Sequence, residues 1–583
     1  MALAETAQMD LNSADTGFID ELRLLTEEVI QPEPQCNNIS KYLAKVSHEK
    51  QDPKQAIVYL TNSHGLQLKN DIKHWTDMKE NYSVKEIDKT APVLDTSLMG
   101  SFNNFKEITD KIKNLPEEWT IIQITKRYIP FTVLKRSGKH ADCGIFITRF
   151  TCGNLAKKID PYYVTTASEN PEENFLGILH DLFKIREDYF RSGAVCRKVK
   201  EEYMKTEEGL MKFVSALETG WLKEWRCLLS GRLKDKMLEE ETRSKVNKAV
   251  QNYMKQARKK TKCSEESLDM VYQVTLSAHL MKNKEILKVL SLALHNDQLE
   301  NINSMVPLME DLKLINLENS CTVKNAKKNP VILIIDDAFE LIPWEMLSTF
   351  SGQPVTRISS LHLLYAMFKY HENHIVDGYR MVKINSSYCL INPGKDLNDC
   401  EEAMTKFLKA HVPWVASDIG KAPDPKILVS KFQDYSVYFY CGHGSGMQYL
   451  TSNDLKKTPV KSLILLFGCS SNLPKNAGGR TPHHNNTYTY LTNGCPCLVG
   501  CIYGITSSDA DIASQKILFS ILPTVKKEDS KMVLQYPKER NVLKGVATGK
   551  MACKKYWSQS SFVVRGIPCK IEECKISDFP QSE

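Results

Sequence analysis

Val437-Tyr438-Phe439-Tyr440-Cys441-Gly442-His443-Gly444-Ser445-Gly446 and Leu463-Ile464-Leu465-Leu466-Phe467-Gly468-Cys469-Ser470-Ser471 decide the reading of this chain. Each is a short apolar run that ends in glycine and a reactive side chain. Near-continuous apolar runs of this length are the pattern of strands buried on both faces, as in parallel sheets. Two neighbouring parallel strands ending this way put an imidazole and a thiol side by side at the carboxyl edge of a sheet, where open α/β sheets carry their sites. A free cysteine, with a pKa near about 8.5, needs a base or a cation beside it to attack at neutral pH. His443 is suited to take the proton from Cys469 and to pass it to a leaving amine. Gly442, Gly444 and Gly446 permit sharp turns and close approach of a substrate backbone. The N–H groups of Gly444 and Cys469 are expected to form an oxyanion hole. Cys441 and Cys495 are weaker candidates: Cys441 has no glycine elbow, and Cys495 is held before Pro496 in a turn that leads into the next strand.

Working outward, the C-terminal half alternates strand and helix. Val331–Ile335 predicts a buried strand, Leu361–Tyr370 a helix, Tyr388–Asn392 a strand, Asp399–His411 a helix, Cys497–Tyr503 a strand and Ile512–Leu522 a helix. This grammar predicts a mostly parallel α/β sheet covered on both faces. Upstream, Trp119–Ile124 and Cys143–Phe150 predict two more strands, with a turn at Ser137-Gly138. Phe175 to Ile185 and Phe213 to Leu229 carry helical periodicity, and Trp221 and Trp225 read as core residues. Residues 231–265 are dense in Lys, Arg and Glu and read as a solvated helix or linker, and 266–318 return to helical spacing. Residues 1–115 are polar, with short apolar groups such as Phe18–Leu25. The expected divisions are 1–115, 116–232, 233–325 and 326–583, the last beginning after the polar, proline-ended stretch Lys324–Pro330.

The 583 residues allow two to four domains. A hydrophobic fraction of 42% and a charged fraction of 25% are those of an ordinary globular protein. The net charge of +7 is small for this length and its Lys and Arg are dispersed, so no sequence-specific nucleic-acid binding is expected. The N-terminus turns acidic at once and has no apolar signal region, and no apolar run reaches the roughly 18 residues of a membrane span. A reducing compartment, cytoplasm or nucleus, is therefore expected. The 17 cysteines then stand as free thiols rather than a disulfide scaffold. Their spacing holds no pair of ligand pairs, so neither a metal nor another cofactor is expected.

The histidine and cysteine pattern occurs in caspase-like cysteine peptidases, and its detail resembles the separase family, whose members open cohesin at anaphase. Gly442-His443-Gly444-Ser445-Gly446 is similar to the family's histidine motif and Phe467-Gly468-Cys469-Ser470-Ser471 to its nucleophile motif. Tyr488-x-Tyr490-Leu491-x-x-Gly494-Cys495-Pro496-x-x-x-Gly500 resembles the helix, turn and strand that follow. Leu341-Ile-Pro343-Trp344-Glu345 with Pro354-Val355-Thr356-Arg357 looks like the start of the protease domain, and Gly566-Ile567-Pro568 like its close. True caspases place the histidine about 50 residues upstream of a Gln-Ala-Cys pentapeptide, which is absent here. The resemblance implies a caspase-like sheet in 326–583 and a pseudo-protease-like α/β domain in 116–232. It further implies a charged linker and helical insert in 233–325, and a helical, partner-docking segment in 1–115.

The resemblance also implies thiol-protease chemistry, in mitosis and chromosome segregation. The expected cut follows arginine in a Glu-x-x-Arg context of the kleisin subunit of cohesin, near mitotic chromosomes and the spindle. Securin is the implied inhibitory chaperone. Most separases carry a long N-terminal helical superstructure that is nearly absent here. The initiating methionine points to a short form served by a separate helical regulatory subunit. The family's Trp-Asp and Thr-Asp steps read Tyr503-Gly504 and Thr506-Ser507 in this chain. The acidic group for the P1 arginine then falls on Asp509, with Asp511 second, and capping of the Ile512 helix stands as the other use for both. Glu240-Glu241-Thr242-Arg243-Ser244 matches the cleavage context and raises self-cleavage at Arg243. A non-catalytic scaffold holding cohesin or securin, and a caspase-like peptidase with another substrate, are the competing functions.

Overall fold

The apolar runs pair, with two strands that are not apolar, into one eleven-stranded sheet. A computed structural model describes residues 33–65, 68, 93–127, 144–166, 175–192, 197–257, 263–295, 299–318, 326–384, 386–450, 454–455, 458–476, 483–484, 486–528 and 531–574. Phe18–Leu25 and the Ser137-Gly138 turn lie outside these residues. The strands are β1 (Thr120–Lys126), β2 (Ile145–Thr151), β3 (Tyr162–Thr166), β4 (Val331–Ile335), β5 (Val355–Ile358), β6 (Ser387–Ile391), β7 (Ala416–Ile419), β8 (Val437–Cys441), β9 (Leu463–Leu466), β10 (Cys497–Cys501) and β11 (Phe562–Gly566). Their order across the sheet is β3-β2-β1-β4-β5-β11-β10-β9-β8-β6-β7.

Five strands, β10, β9, β8, β6 and β7, run parallel to one another. On the other side β1, β4, β5 and β11 are also mutually parallel. The two blocks meet at β11 and β10, which are antiparallel. The fold is therefore α/β with a mostly parallel sheet, as the sequence predicts, and the sheet runs unbroken from 120 to 566.

Burial follows the two-residue period of each strand. Val331, Leu333 and Ile335 of β4 join Ile122 and Ile124 of β1 in a cluster with Trp221, Leu228 and Leu229. Ile332, Ile334 and Ile121 face the other way, into a second cluster that continues through Phe439, Leu465 and Val499 of the parallel block. The helices α1 (Glu33–Glu49), α2 (Pro53–Asn62) and α3 (Phe105–Asn114) lie against the first block. Lys41 of α1 reaches the end of β4 and pairs with Asp336 at 2.5 Å, both side chains buried.

The charged stretch 231–265 is less solvated than its composition predicts. It forms α4 (Lys236–Gln256), whose Val246, Val250 and Tyr253 are buried. Its acidic and basic groups are used inward. Glu239 takes Arg232 at 3.0 Å and Arg243 at 3.1 Å, and Arg243 also meets Asp269 at 3.1 Å. Asp269 pairs in turn with the buried Arg149 of β2 at 3.3 Å. Arg243 further stacks on Tyr272, its guanidinium carbon 3.9 Å from the ring centroid. A peptidase binds an extended chain, whereas Arg243 is mid-helix and held by two carboxylates and a ring.

Two arginines lock β11 to β5. Arg357 of β5 stands opposite Arg565 of β11. Glu345 takes Arg357 through two hydrogen bonds, 2.7 and 2.6 Å, and Glu340 takes Arg565 at 2.7 and 3.3 Å. All four side chains are buried or nearly so. These are the residues quoted above in the Leu341–Glu345, Pro354–Arg357 and Gly566 segments and their neighbours. Arg565 extends a further hydrogen bond of 2.8 Å to Asn472, three residues beyond Cys469.

Removing one member of such a buried network strands its partner's charge, which costs about 3–5 kcal/mol. Glu340→Ala is expected to destabilise the chain by that amount, seen as a lower midpoint in urea. Conversely, incubation of active chain and of Cys469→Ala is expected to give identical fragment patterns around Arg243; a fragment ending at Arg243 only in the active chain would contradict the helical burial of that residue.

Candidate active site

β8 and β9 are adjacent and parallel, with Tyr440 opposite Leu466. Their following loops therefore leave the sheet side by side, and backbone packs on backbone. A β-carbon at Gly468 would lie 2.0 Å from the Gly444 carbonyl oxygen and 2.5 Å from that of Gly442. Only glycine fits between the loops, which explains the glycine before Cys469 better than a turn does. Gly444 and Gly446 have φ of 63° and 76°, a region that favours glycine. The carbonyl of His443 accepts from the Tyr440 hydroxyl at 2.7 Å and from Gln448 Nε2 at 3.0 Å.

The imidazole meets a carboxylate that the sequence motifs did not single out. His443 Nε2 lies 3.2 Å from Asp396 Oδ2. Asp396 sits in the loop after β6, and the buried Asn392 shapes that loop. Asn392 adopts φ 44°, and its side-chain oxygen accepts from the N–H of Asp396 at 3.1 Å and of Leu397 at 3.0 Å. Its side-chain amide donates to Glu401 at 2.7 Å, and its backbone N–H bonds the Cys441 carbonyl at 2.8 Å, joining this loop to β8. The signal in the sequence was the Asn392-Pro393-Gly394 turn at the end of a strand, with an aspartate soon after.

Cys469 is half-buried and its thiol is engaged elsewhere. Sγ donates to the Ile505 carbonyl at 3.0 Å and accepts from the Ile505 N–H at 3.4 Å. Among the described residues no hydrogen bond joins it to His443. Burial pushes the thiol pKa up, against a smaller lowering by backbone hydrogen bonds, so the resting side chain is a protonated thiol. Ser470 follows in the left-handed region, φ 51°, at a cost of about 1–2 kcal/mol. Its N–H is fixed to the Tyr503 carbonyl at 2.9 Å, and Asn472 N–H to Cys501 at 2.8 Å. Ser471 Oγ accepts from Cys501 N–H at 3.0 Å and donates to Leu466 at 3.1 Å. The Cys469 turn is thus strapped to β10. Among the described residues the Gly444 N–H has no hydrogen-bond partner, and the Cys469 N–H faces only its own thiol.

The two aspartates diverge. They lie two apart on the helix α5 (Ser507–Ile521), whose N-cap is Thr506 rather than either of them. Asp509 is buried; one oxygen takes the Lys554 N–H at 2.8 Å, and Oδ2 has no partner. Asp511 is partly exposed and faces Cys400, with Asp399 nearby; burial raises its pKa, Cys400 lowers it and Asp399 raises it further. Cys441 and Cys495, the rival thiols, are both buried and pushed up in pKa, so neither can serve as an exposed thiolate. No group of three or more candidate ligands that could hold a metal occurs among the described residues, and no helix there is long and apolar enough to cross a membrane.

A thiol held by Ile505 and half-buried alkylates slowly. Iodoacetamide modification of Cys469, followed by peptide mass spectrometry, is expected to be slower at pH 7 than that of free cysteine. Its rate should keep climbing above about 8.5, where a free thiol is half ionised. A plateau below that pH would contradict the raised pKa.

Comparison with known proteins agrees with this geometry. The family model described as Separin, protease domain, matches residues 201–512. A separin of Emericella nidulans is 23% identical over 430 residues, 68% of this chain and 20% of that protein. A separin of Schizosaccharomyces pombe is 29% identical over 199 residues, 34% of this chain and 11% of that protein. The chain thus spans a fifth or less of the length of these relatives. The crystal structure of the Saccharomyces cerevisiae separase–securin complex at 2.6 Å resolution shares the fold, with TM-score 0.66 at 17% identity, over 95% of this chain and 38% of that one. The domain match covers more than half of the chain and includes both the histidine and the cysteine loops, and on it the chain belongs to the separin protease domain family.

Proposed function

We propose that this chain is a cysteine endopeptidase that cuts after arginine, with Cys469 as nucleophile, His443 as general base and acid, and the N–H groups of Gly444 and Cys469 as oxyanion hole. The observation that carries the reading is the backbone contact of Gly468 with the Gly442–Gly444 loop, which sets the two reactive residues on touching loops at one sheet edge. In the reaction Sγ leaves Ile505 and gives its proton to His443, and the thiolate attacks the scissile carbonyl. The oxyanion is stabilised by about 3–4 kcal/mol per well-placed donor. His443 then protonates the leaving amine, and water hydrolyses the thioester.

Family membership and the fold support a cohesin-directed role, with the kleisin subunit as substrate in a Glu-x-x-Arg context. The yeast relative was solved with securin, and we extend that partner to this chain as its inhibitory chaperone. A separate helical regulatory subunit, and action in cytoplasm and nucleus at mitotic chromosomes, belong to the same proposal. For the P1 arginine we favour Asp511 over Asp509. Asp511 is open to solvent on one side, whereas Asp509 already holds the Lys554 backbone and is closed off.

An arginine-ended acyloxymethyl ketone is expected to label Cys469, and labelling should vanish in Cys469→Ala and fall steeply in His443→Ala. Absence of labelling after removal of any bound inhibitor would sink the protease reading in favour of a scaffold. Labelling without cleavage of recombinant kleisin would sink the substrate assignment and leave a caspase-like peptidase with another target. A charge-assisted hydrogen bond of about 1.5–3 kcal/mol makes Asp511→Asn about 10- to 100-fold weaker in KM for an arginine peptide. Asp509→Asn should change thermal stability and leave KM alone; the reverse pattern would exchange the two roles.

A further inference from the structure

The geometry points to Asp396 as the positioning residue for His443, a carboxylate that fixes the tautomer and direction of the imidazole and turns the Cys–His pair into a triad. The inference rests on the protease reading above and deepens it.

Only one ring nitrogen of a neutral imidazole carries a proton. With Nε2 3.2 Å from Asp396 Oδ2, the stable tautomer places the proton on Nε2 and leaves the lone pair on Nδ1. That lone pair is the acceptor a thiol proton requires. After transfer both nitrogens carry protons, and the Nε2–H bond to an ionised carboxylate stabilises the imidazolium as the thiolate forms.

Three features set this contact apart from a chance surface pair. Asn392, itself fully buried, receives the N–H groups of Asp396 and Leu397 and so shapes the turn that offers the carboxylate. The same turn is bonded to β8 at Cys441, two residues before His443, so the two loops move as one piece. The backbone carbonyl of His443 is pinned independently by Tyr440 and Gln448. In the free chain the imidazole and carboxylate side chains are 62% and 58% exposed, and water screens such a pair. A substrate chain lying along the sheet edge covers both and removes that screening. The bond therefore gains strength as the reaction begins.

The test uses the full chain and inactivation by the arginine-ended acyloxymethyl ketone, resolved into KI and kinact. Asp396→Asn is expected to lower kinact steeply, though by less than loss of the nucleophile or base, as in triads whose carboxylate alone matters less than either. KI and the melting temperature should stay as in wild type, because the side chain is exposed. Asp396→Glu should recover part of kinact. In a His443→Ala background, Asp396→Asn should change nothing further. An unchanged kinact in Asp396→Asn would reduce the contact to a surface ion pair and overturn the inference. A raised KI with unchanged kinact would make Asp396 an arginine ligand and overturn it equally. Absence of labelling in wild type would instead bring down the dyad on which the inference stands.

Discussion

The opposed guanidiniums of Arg357 and Arg565 are the constraint on which the rest of the fold depends. Two cations side by side in a dry sheet are tolerable only because Glu345 and Glu340 each clasp one of them with paired hydrogen bonds. The cross-strand pair stands at the place where β5 meets β11, so the network fixes β11, the strand that borders the second parallel block. Its outermost hydrogen bond ends on Asn472, in the turn that carries Cys469. Core electrostatics and placement of the nucleophile are thereby one problem. A sequence that failed to neutralise the arginines would lose the seam and the site together.

Much of this was legible in the residues. Runs such as Leu463–Leu466 have no polar position to offer solvent, and they are buried parallel strands as their composition demands. The His443 and Cys469 loops were legible for the same reason, since glycine beside a reactive side chain at a strand end restricts the possible geometry. β3 and β7 were not. Tyr162–Thr166 alternates buried and half-buried positions, and Ala416–Ile419 is an exposed edge; neither shows an apolar run. Their pairing partners, rather than their own composition, make them strands.

The remaining gaps have a common cause. Asp396 meets the imidazole of His443, and Asp509 is claimed by a backbone N–H at Lys554. These are contacts between segments far apart along the chain, and no local spacing announces them. The charged stretch around Arg243 misleads for the related reason that ion pairs can be spent inward. Glu239, Arg243, Asp269 and Arg149 form a chain of pairs from α4 to β2, so a composition that reads as solvated surface is half of an interior network.

The engagement of Cys469 by the Ile505 peptide has a consequence for the chain's lifetime. Oxidation of cysteine by peroxides proceeds through the thiolate and follows its exposure. A thiol kept protonated by burial and bonded to a backbone carbonyl is slow to form the sulfenic acid, the first rung on the way to the sulfinic acid from which most enzymes do not return. Cys469 is thus kept reduced for as long as its contact with Ile505 holds.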